Sequence, residues 1–209
     1  MNRTDRPLAI LRAAEKLFAQ HGYDAVSLRQ IAAEAGVPLA LLDYHFGRKQ
    51  ALIEAIFDRW RGTVAERLAQ LQAIDLEAPD RTRTLRAIVE AFVTPVLRLR
   101  RSPEGEFYGA LVARELNRGT PAMRRIVRRH FDPMAHAFID AMARVLPHAT
   151  RGQVAWCYQF ALGALIHHSI DARVERLSRR QNRRLDPAAT KMLVNFIVGG
   201  IETATRAAS

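Results

Sequence analysis

Tyr44, His45 and Lys49 lie close together and offer a phenol hydroxyl, an imidazole and an ammonium, the groups that hold a nucleic-acid backbone. Ser27 adds a hydroxyl upstream. Contacts of this kind position a protein on DNA without reading its sequence. Between them, Leu39 and Ala40 suit a thymine methyl, and Asp43, acceptor-only, suits a cytosine amino group. Asp43 has a second reading, an ion pair with Arg29 or Arg48 that keeps it off the bases. Reaction chemistry has no comparable set: there is no nucleophile–base–acid signature and no phosphate-cradling glycine loop. His167 and His168 are adjacent and point to different helix faces, so they make no metal pair. Cys157 is the single cysteine, which excludes an intrachain disulfide and a cysteine-rich zinc site. On an apolar helix it reads as an inert buried thiol. The expectation is a binding protein, not an enzyme, with no cofactor and no metal.

Two short helices must position these groups, with Gly36 and Val37 turning between them. Ser27 stands at an N-cap, ahead of Leu28, Ile31, Ala32 and Ala35 on one face. Gly36 tolerates a left-handed backbone and stops the first helix, and Pro38 suits the first turn of the second. This is a helix-turn-helix, which lays its second helix in the major groove. Pro38 to His45 is then the recognition helix, with Arg29, Pro38, Leu39, Ala40, Asp43, Tyr44 and His45 on the DNA side and Lys49 just after it. Leu41, Leu42 and above all Phe46 read as packing residues.

The anchors Phe18, Gly22, Tyr23, Ser27, Ile31, Ala32, Ala35, Gly36, Val37, Tyr44, His45, Phe46 and Lys49 occur in the order found in the tetracycline-repressor (TetR) family. The chain resembles that family over about residues 7 to 60. The resemblance implies an all-α fold, an N-terminal three-helix DNA-binding domain and a C-terminal helical domain for ligand binding and dimerisation. It also implies DNA contacts by Tyr44, His45 and Lys49. One departure stands out: Leu39-Ala40-Leu41-Leu42-Asp43 replaces the commoner small and polar residues, so no operator sequence carries over.

With 209 residues, 49% hydrophobic and 25% charged, the chain has the composition of an ordinary globular protein with one or two domains. No apolar run reaches the roughly 18 residues of a membrane span. The start at Met1 to Arg6 lacks the apolar stretch of a secretory signal, so a cytoplasmic protein without membrane attachment is expected. The net charge of +11 lies mostly outside the helix-turn-helix: residues 1 to 60 hold eight Arg or Lys against seven Asp or Glu. The excess collects at 98–101, 124–129 and 173–184. Those arginines are either solvated surface or a source of attraction for an anionic ligand or for DNA.

Helical periodicity continues throughout. A first helix over 7–21 backs the reading head. A long helix follows from Lys49 to near Pro79, read as a rod linking a domain over 1–48 to one over 49–209. Further helices are expected over 82–100, kinked at Pro95, over 104–117, over 121–146 as one or two, over 150–170 and over 187–206. The last two are unusual. The helix holding Trp156, Phe160, Leu162 and Ile166 is apolar on all sides, and such a helix must be buried all round. The final one carries Phe196, Ile197 and the interior pair Gly199-Gly200, which suits close helix approach. A two-fold homodimer through a four-helix bundle is expected, with a single-chain core as the other reading. A pocket with apolar walls is expected from Phe92, Phe107, Leu111, Met134, Phe138 and Phe160, with Arg114 and His130 as polar partners.

The function expected is a dimeric, ligand-responsive transcriptional regulator, acting as a repressor released from a palindromic double-stranded DNA operator by a small-molecule effector. An effector with an apolar body and an anionic end suits the arginine clusters. The alternative is a constitutive DNA-binding helical dimer or scaffold without an effector.

Overall fold

The computed structural model describes residues 6–103, 105–118 and 120–206. Among these are eleven helices and no strand. In chain order they are α1 (Arg6–His21), α2 (Leu28–Glu34), α3 (Leu39–Phe46), α4 (Lys49–Arg59), α5 (Arg61–Gln72) and α6 (Arg81–Arg101). There follow α7 (Glu106–Arg118), α8 (Pro121–Val145), α9 (Arg151–Ile170), α10 (Arg173–Leu177) and α11 (Pro187–Thr205). They pack into two compact units, one of Met1–Gly62 with Glu104–His130, the other of Thr63–Pro103 with Phe131–Ser209.

In the first unit, α1 buries Ile10, Ala13, Ala14 and Phe18 along one stripe. It ends at Gly22, whose φ of +90° is costly for any residue with a Cβ. Ser27 then starts α2 through a capping box: its hydroxyl accepts from Gln30 N while the Gln30 side chain accepts from Ser27 N at 2.8 Å. Gly36, at φ +65°, turns the chain, and Val37 N closes the turn on Ala32 O at 3.0 Å. Leu42 is fully buried beneath α3, and Leu52, Ile53, Ile56 and Phe57 continue the core along α4. The chain segment with α7 belongs here as well. The Arg114 guanidinium donates to Gln20 O at 3.2 Å and His21 O at 3.1 Å, the last carbonyls of α1. Glu115 accepts from Tyr23 N at 3.3 Å.

The rod expected from Lys49 to Pro79 is interrupted. Trp60 N is shared between Ile56 O and Phe57 O, and the backbone there leaves the helical region at ψ 9°. The indole has strong attachments that account for the break: its Nε1 donates to Glu15, and its ring stacks on Tyr108 with centroids 5.2 Å apart. By contrast α6 and α8 run through Pro95 and Pro133 without ending, so 121–145 is one helix.

The second unit is built on α5, α6, α9, α11 and the later part of α8. Its core includes Leu85, Val93, Leu97, Phe138, Val154, Leu165, Val198 and Ile201. Phe92 sits at its centre, 5.3 Å from both the Phe138 and Tyr158 rings, with the Arg67 guanidinium 4.5 Å above it.

Candidate nucleic-acid interface

The recognition helix α3 follows Pro38 and ends at Gly47, where φ is +64° and Gly47 N donates to Asp43 O at 2.9 Å. Burial of Leu42, with Leu41 and Phe46 half-buried, turns one side of this short helix inward. The other side presents Ala40, Asp43, Tyr44 and His45 to solvent, with Leu39 half-exposed between them and Pro38 exposed at the start. Tyr44 is 81% exposed, and its ring meets the His45 ring edge-on at 5.2 Å. Its hydroxyl, at the outer side of the helix, can donate to a phosphate oxygen. Ser27 and Arg29 are exposed at the start of α2. Among the described residues Asp43 has no ion pair, so neither Arg29 nor Arg48 draws it away from the outward side.

Lys49 is placed differently from the expectation of a phosphate contact. Its ammonium donates to Tyr23 O at 2.9 Å, Val26 O at 3.0 Å and Asp24 O at 3.3 Å, and lies 4.6 Å from the Tyr23 ring centroid. Three protons meet three carbonyls, so the cation pins the loop between α1 and α2 to the start of α4.

Two supports escaped the sequence reading. Glu15 lies within the apolar stripe of α1, 2% exposed, and its carboxylate binds Arg59 and the Trp60 indole N–H. Burial pushes its pKa up, against the lowering pull of Trp60 and Arg59. The signal for it was a carboxylate among Leu11, Ala14 and Phe18 on one helix face. Lys16 pairs with Glu34 at 2.6 Å and ties α1 to α2 from the outside.

The residues expected to line an effector pocket are divided between the two units. Leu111 is fully buried in the first unit and Phe107 half-buried. His130 there lies 5.3 Å from the Phe57 ring, with its pKa lowered mainly by burial. Arg114, expected to meet a ligand, is engaged with the carbonyls of α1. Phe92, Met134 and Phe138 lie in the core of the second unit. Phe160 is 62% exposed and stacks on Trp156, itself 64% exposed, so it is an outer-face residue and not a companion of Phe92.

Of the residues expected at a dimer interface, Trp156 and Phe196 are exposed and Leu162 and Ile166 half-buried. Ile197 faces the core of its own chain at 4% exposure, which corrects its placement at an interface. Gly199 and Gly200 are exposed, and a Cβ on either would meet nothing within 4 Å. Close approach within the chain therefore does not account for them. Cys157 is buried, and burial pushes its thiol pKa up. No helix among the described residues is long and apolar enough to cross a membrane.

Residues 10–56 match the family model described as bacterial regulatory proteins, tetR family, and residues 90–200 match that for the tetracyclin repressor-like C-terminal domain. The HTH-type transcriptional repressor Rv3405c of Mycobacterium tuberculosis is 42% identical over 71 residues, 34% of this chain and 37% of that protein. The similarity thus spans little more than a third of that relative's length. Among solved structures, the fatty acid degradation regulator FadR from Bacillus halodurans superposes with a TM-score of 0.63 at 16% identity, over 96% of this chain and 98% of that one. FadR from Bacillus subtilis, solved in complex with stearoyl-CoA, superposes with a TM-score of 0.56 at 13% identity, over 92% and 98% of the two chains.

Proposed function

The chain belongs to the tetR family of bacterial regulatory proteins and is a DNA-binding transcriptional regulator, and from that premise we propose a homodimeric repressor released from a palindromic operator by a small-molecule effector. The observation that carries this reading is the outward side of α3, where Ala40, Asp43, Tyr44 and His45 stand exposed around a buried Leu42. Ser27, Arg29 and Tyr44 hold phosphates; Pro38, Leu39, Ala40 and Asp43 face base edges, with His45 beside them. Lys49 acts one step back, by fixing the loop that carries Ser27. We assign the DNA contacts to residues 1–48 and the effector and dimerisation roles to 49–209, although 49–62 and 104–130 pack in the same unit as the head.

The dimer part of the proposal draws on the outer face of α9 and α11. Trp156, Phe160, Met192 and Phe196 are large apolar side chains left exposed on these two helices, together with Gly199 and Gly200, and clustered exposed apolar side chains suit an interface. A second copy covers it in a bundle of four helices, giving one recognition helix per subunit for successive half-sites. An effector with an apolar body and an anionic end fits the basic excess outside residues 1–60, and the stearoyl-CoA held by a protein of the same fold has that chemistry.

Selection of duplexes from a random library, followed by anisotropy titration and sedimentation, tests the proposal. A two-fold symmetric consensus bound by a dimer is expected. Binding without sequence preference, or a monomer on a single half-site, refutes it.

A further inference from the structure

Five cations run from Lys16 to Arg59 in the reading head, and three of them are occupied within the chain. Lys16 pairs with Glu34, Arg59 with the buried Glu15, and the Lys49 ammonium donates to three carbonyls. Arg29 and Arg48 remain. Both are exposed, and among the described residues neither has an ion pair or a side-chain hydrogen bond. Arg29 precedes the recognition helix α3 in the chain; Arg48 follows it, three residues after His45 and four after Tyr44. The backbone of Arg48 is held on both sides. Its N–H donates to Phe46 O at 2.7 Å, and its carbonyl accepts from Leu52 N at 3.2 Å. Arg48 occupies the N-cap of α4 in an extended conformation, with φ −112° and ψ 149°, and its side chain makes no capping bond. A guanidinium has donors and no acceptor, so it cannot receive the first-turn amide protons as a serine or aspartate would. The helix forgoes about 1 kcal/mol by this choice. The first turn of α4 holds no acidic residue to pair with the charge. Neither capping nor an ion pair therefore accounts for an arginine at this position.

We propose that Arg48 binds a phosphate of the DNA backbone next to the recognition helix, the task that the position of Lys49 suggests and that its three carbonyls withhold from it. A guanidinium is planar and always charged, and it meets two phosphate oxygens at once. Together with Arg29 it gives each reading head one cation before α3 in the chain and one after it. Such contacts set the register of the helix on the duplex and carry no base preference. With the Arg48 backbone already fixed, only the side chain has to be ordered on binding, which limits the entropic cost. The assignment rests on the reading of the outward side of α3 as the side that meets DNA.

Anisotropy titrations of the full chain on a selected operator and on a random duplex of equal length, at several salt concentrations, test the assignment. Arg48→Ala is expected to lower the salt slope by about 0.9 per bound subunit and to weaken both duplexes about tenfold at the lowest salt. Its melting temperature should equal that of the unaltered protein, because the side chain holds nothing within the chain. Arg48→Lys keeps the charge and loses the fork, so it should restore the slope and only part of the affinity. An unmoved slope for Arg48→Ala, a slope that Arg48→Lys fails to restore, or a loss confined to the operator overturns the phosphate contact. A fall in melting temperature for Arg48→Ala does so too, by making the residue structural. The unaltered protein keeps the two readings apart: its failure to bind either duplex overturns the DNA-facing reading of α3 together with this one, whereas firm binding with an unmoved slope overturns the role of Arg48 alone.

Discussion

Replacing Lys49 by alanine separates two roles that look alike in the sequence. A lysine on a phosphate releases counterions, so its loss lowers the salt slope of DNA binding by about 0.9. The structure gives it another task. Three carbonyls, those of Tyr23, Asp24 and Val26, lose their donor together, and the Tyr23 ring loses a cation at 4.6 Å. Hydrogen bonds to a charged group contribute about 1.5–3 kcal/mol each when enclosed. These carbonyls are only partly buried, and water replaces much of what they lose, so a total of about 2–3 kcal/mol is expected. For a chain of this size that corresponds to a fall in melting temperature of about 4–12 °C. Differential scanning fluorimetry measures the first effect and anisotropy titrations over a range of salt the second. The expected pattern is a lower melting temperature, weaker binding as the Ser27 loop loosens, and an unchanged salt slope. An unchanged melting temperature with a slope reduced by about one unit refutes the reasoning and returns Lys49 to the DNA backbone.

Tyr44→Ala should weaken operator and random DNA by a similar factor of about five to twenty, the value of one phosphate contact with its ring surface, without changing the melting temperature; a selective loss for the operator would make Tyr44 a base reader. Phe196→Asp should give a folded monomer by sedimentation, whereas Ile197→Asp should destabilise the chain by several kcal/mol through a charge buried in its own core; the reverse ranking would move the interface. Gly22→Ala should cost about 1–2 kcal/mol from its left-handed backbone, plus whatever the Arg114 guanidinium loses in moving from a Cβ that would lie 2.9 Å away. Gly62→Ala, in open space, is the control and should be neutral or stabilising in denaturant titrations. His130 has a pKa lowered by burial beside Phe57, so its neutral form stabilises the fold above the ordinary histidine pKa and that contribution is lost as pH falls through the lowered value. His130→Gln should flatten the melting temperature between pH 7 and about 5, and an unaltered profile would remove His130 as the cause.

The reading head was legible because its signals are local. Ser27, Gly36 and Pro38 act through chemistry that reaches only a few residues, so their order alone outlines α2 and the start of α3, while the Gln30 half of the capping box and the Gly47 turn came with the structure. What escaped depends on partners far along the chain. The break at Trp60 lies within an unbroken apolar pattern, and it follows from Glu15 and Tyr108, which the pattern cannot see. Lys49 and Arg114 are ordinary surface cations by spacing, and only the fold reveals the carbonyls they serve. In α9 the apolar residues surround the axis, so periodicity gave no face, and Phe160 was placed inward when it points out.

The attachment of α7 to α1 bears on how this regulator can be taken apart and recombined. Arg114 and Glu115 close the end of α1 and the Tyr23 amide, and Tyr108 supports Trp60 and Phe57. A transplant of residues 1–48 onto a foreign sensor would leave those groups without the side chains that complete them. A chimera that carries 104–130 along with the head, or grafts Tyr108, Arg114 and Glu115 onto the recipient's corresponding helix, keeps the set whole. The smallest exchangeable piece of this protein is thus two separated stretches of chain, and gene fusions cut after the helix-turn-helix should yield soluble reading heads only when the second stretch is supplied.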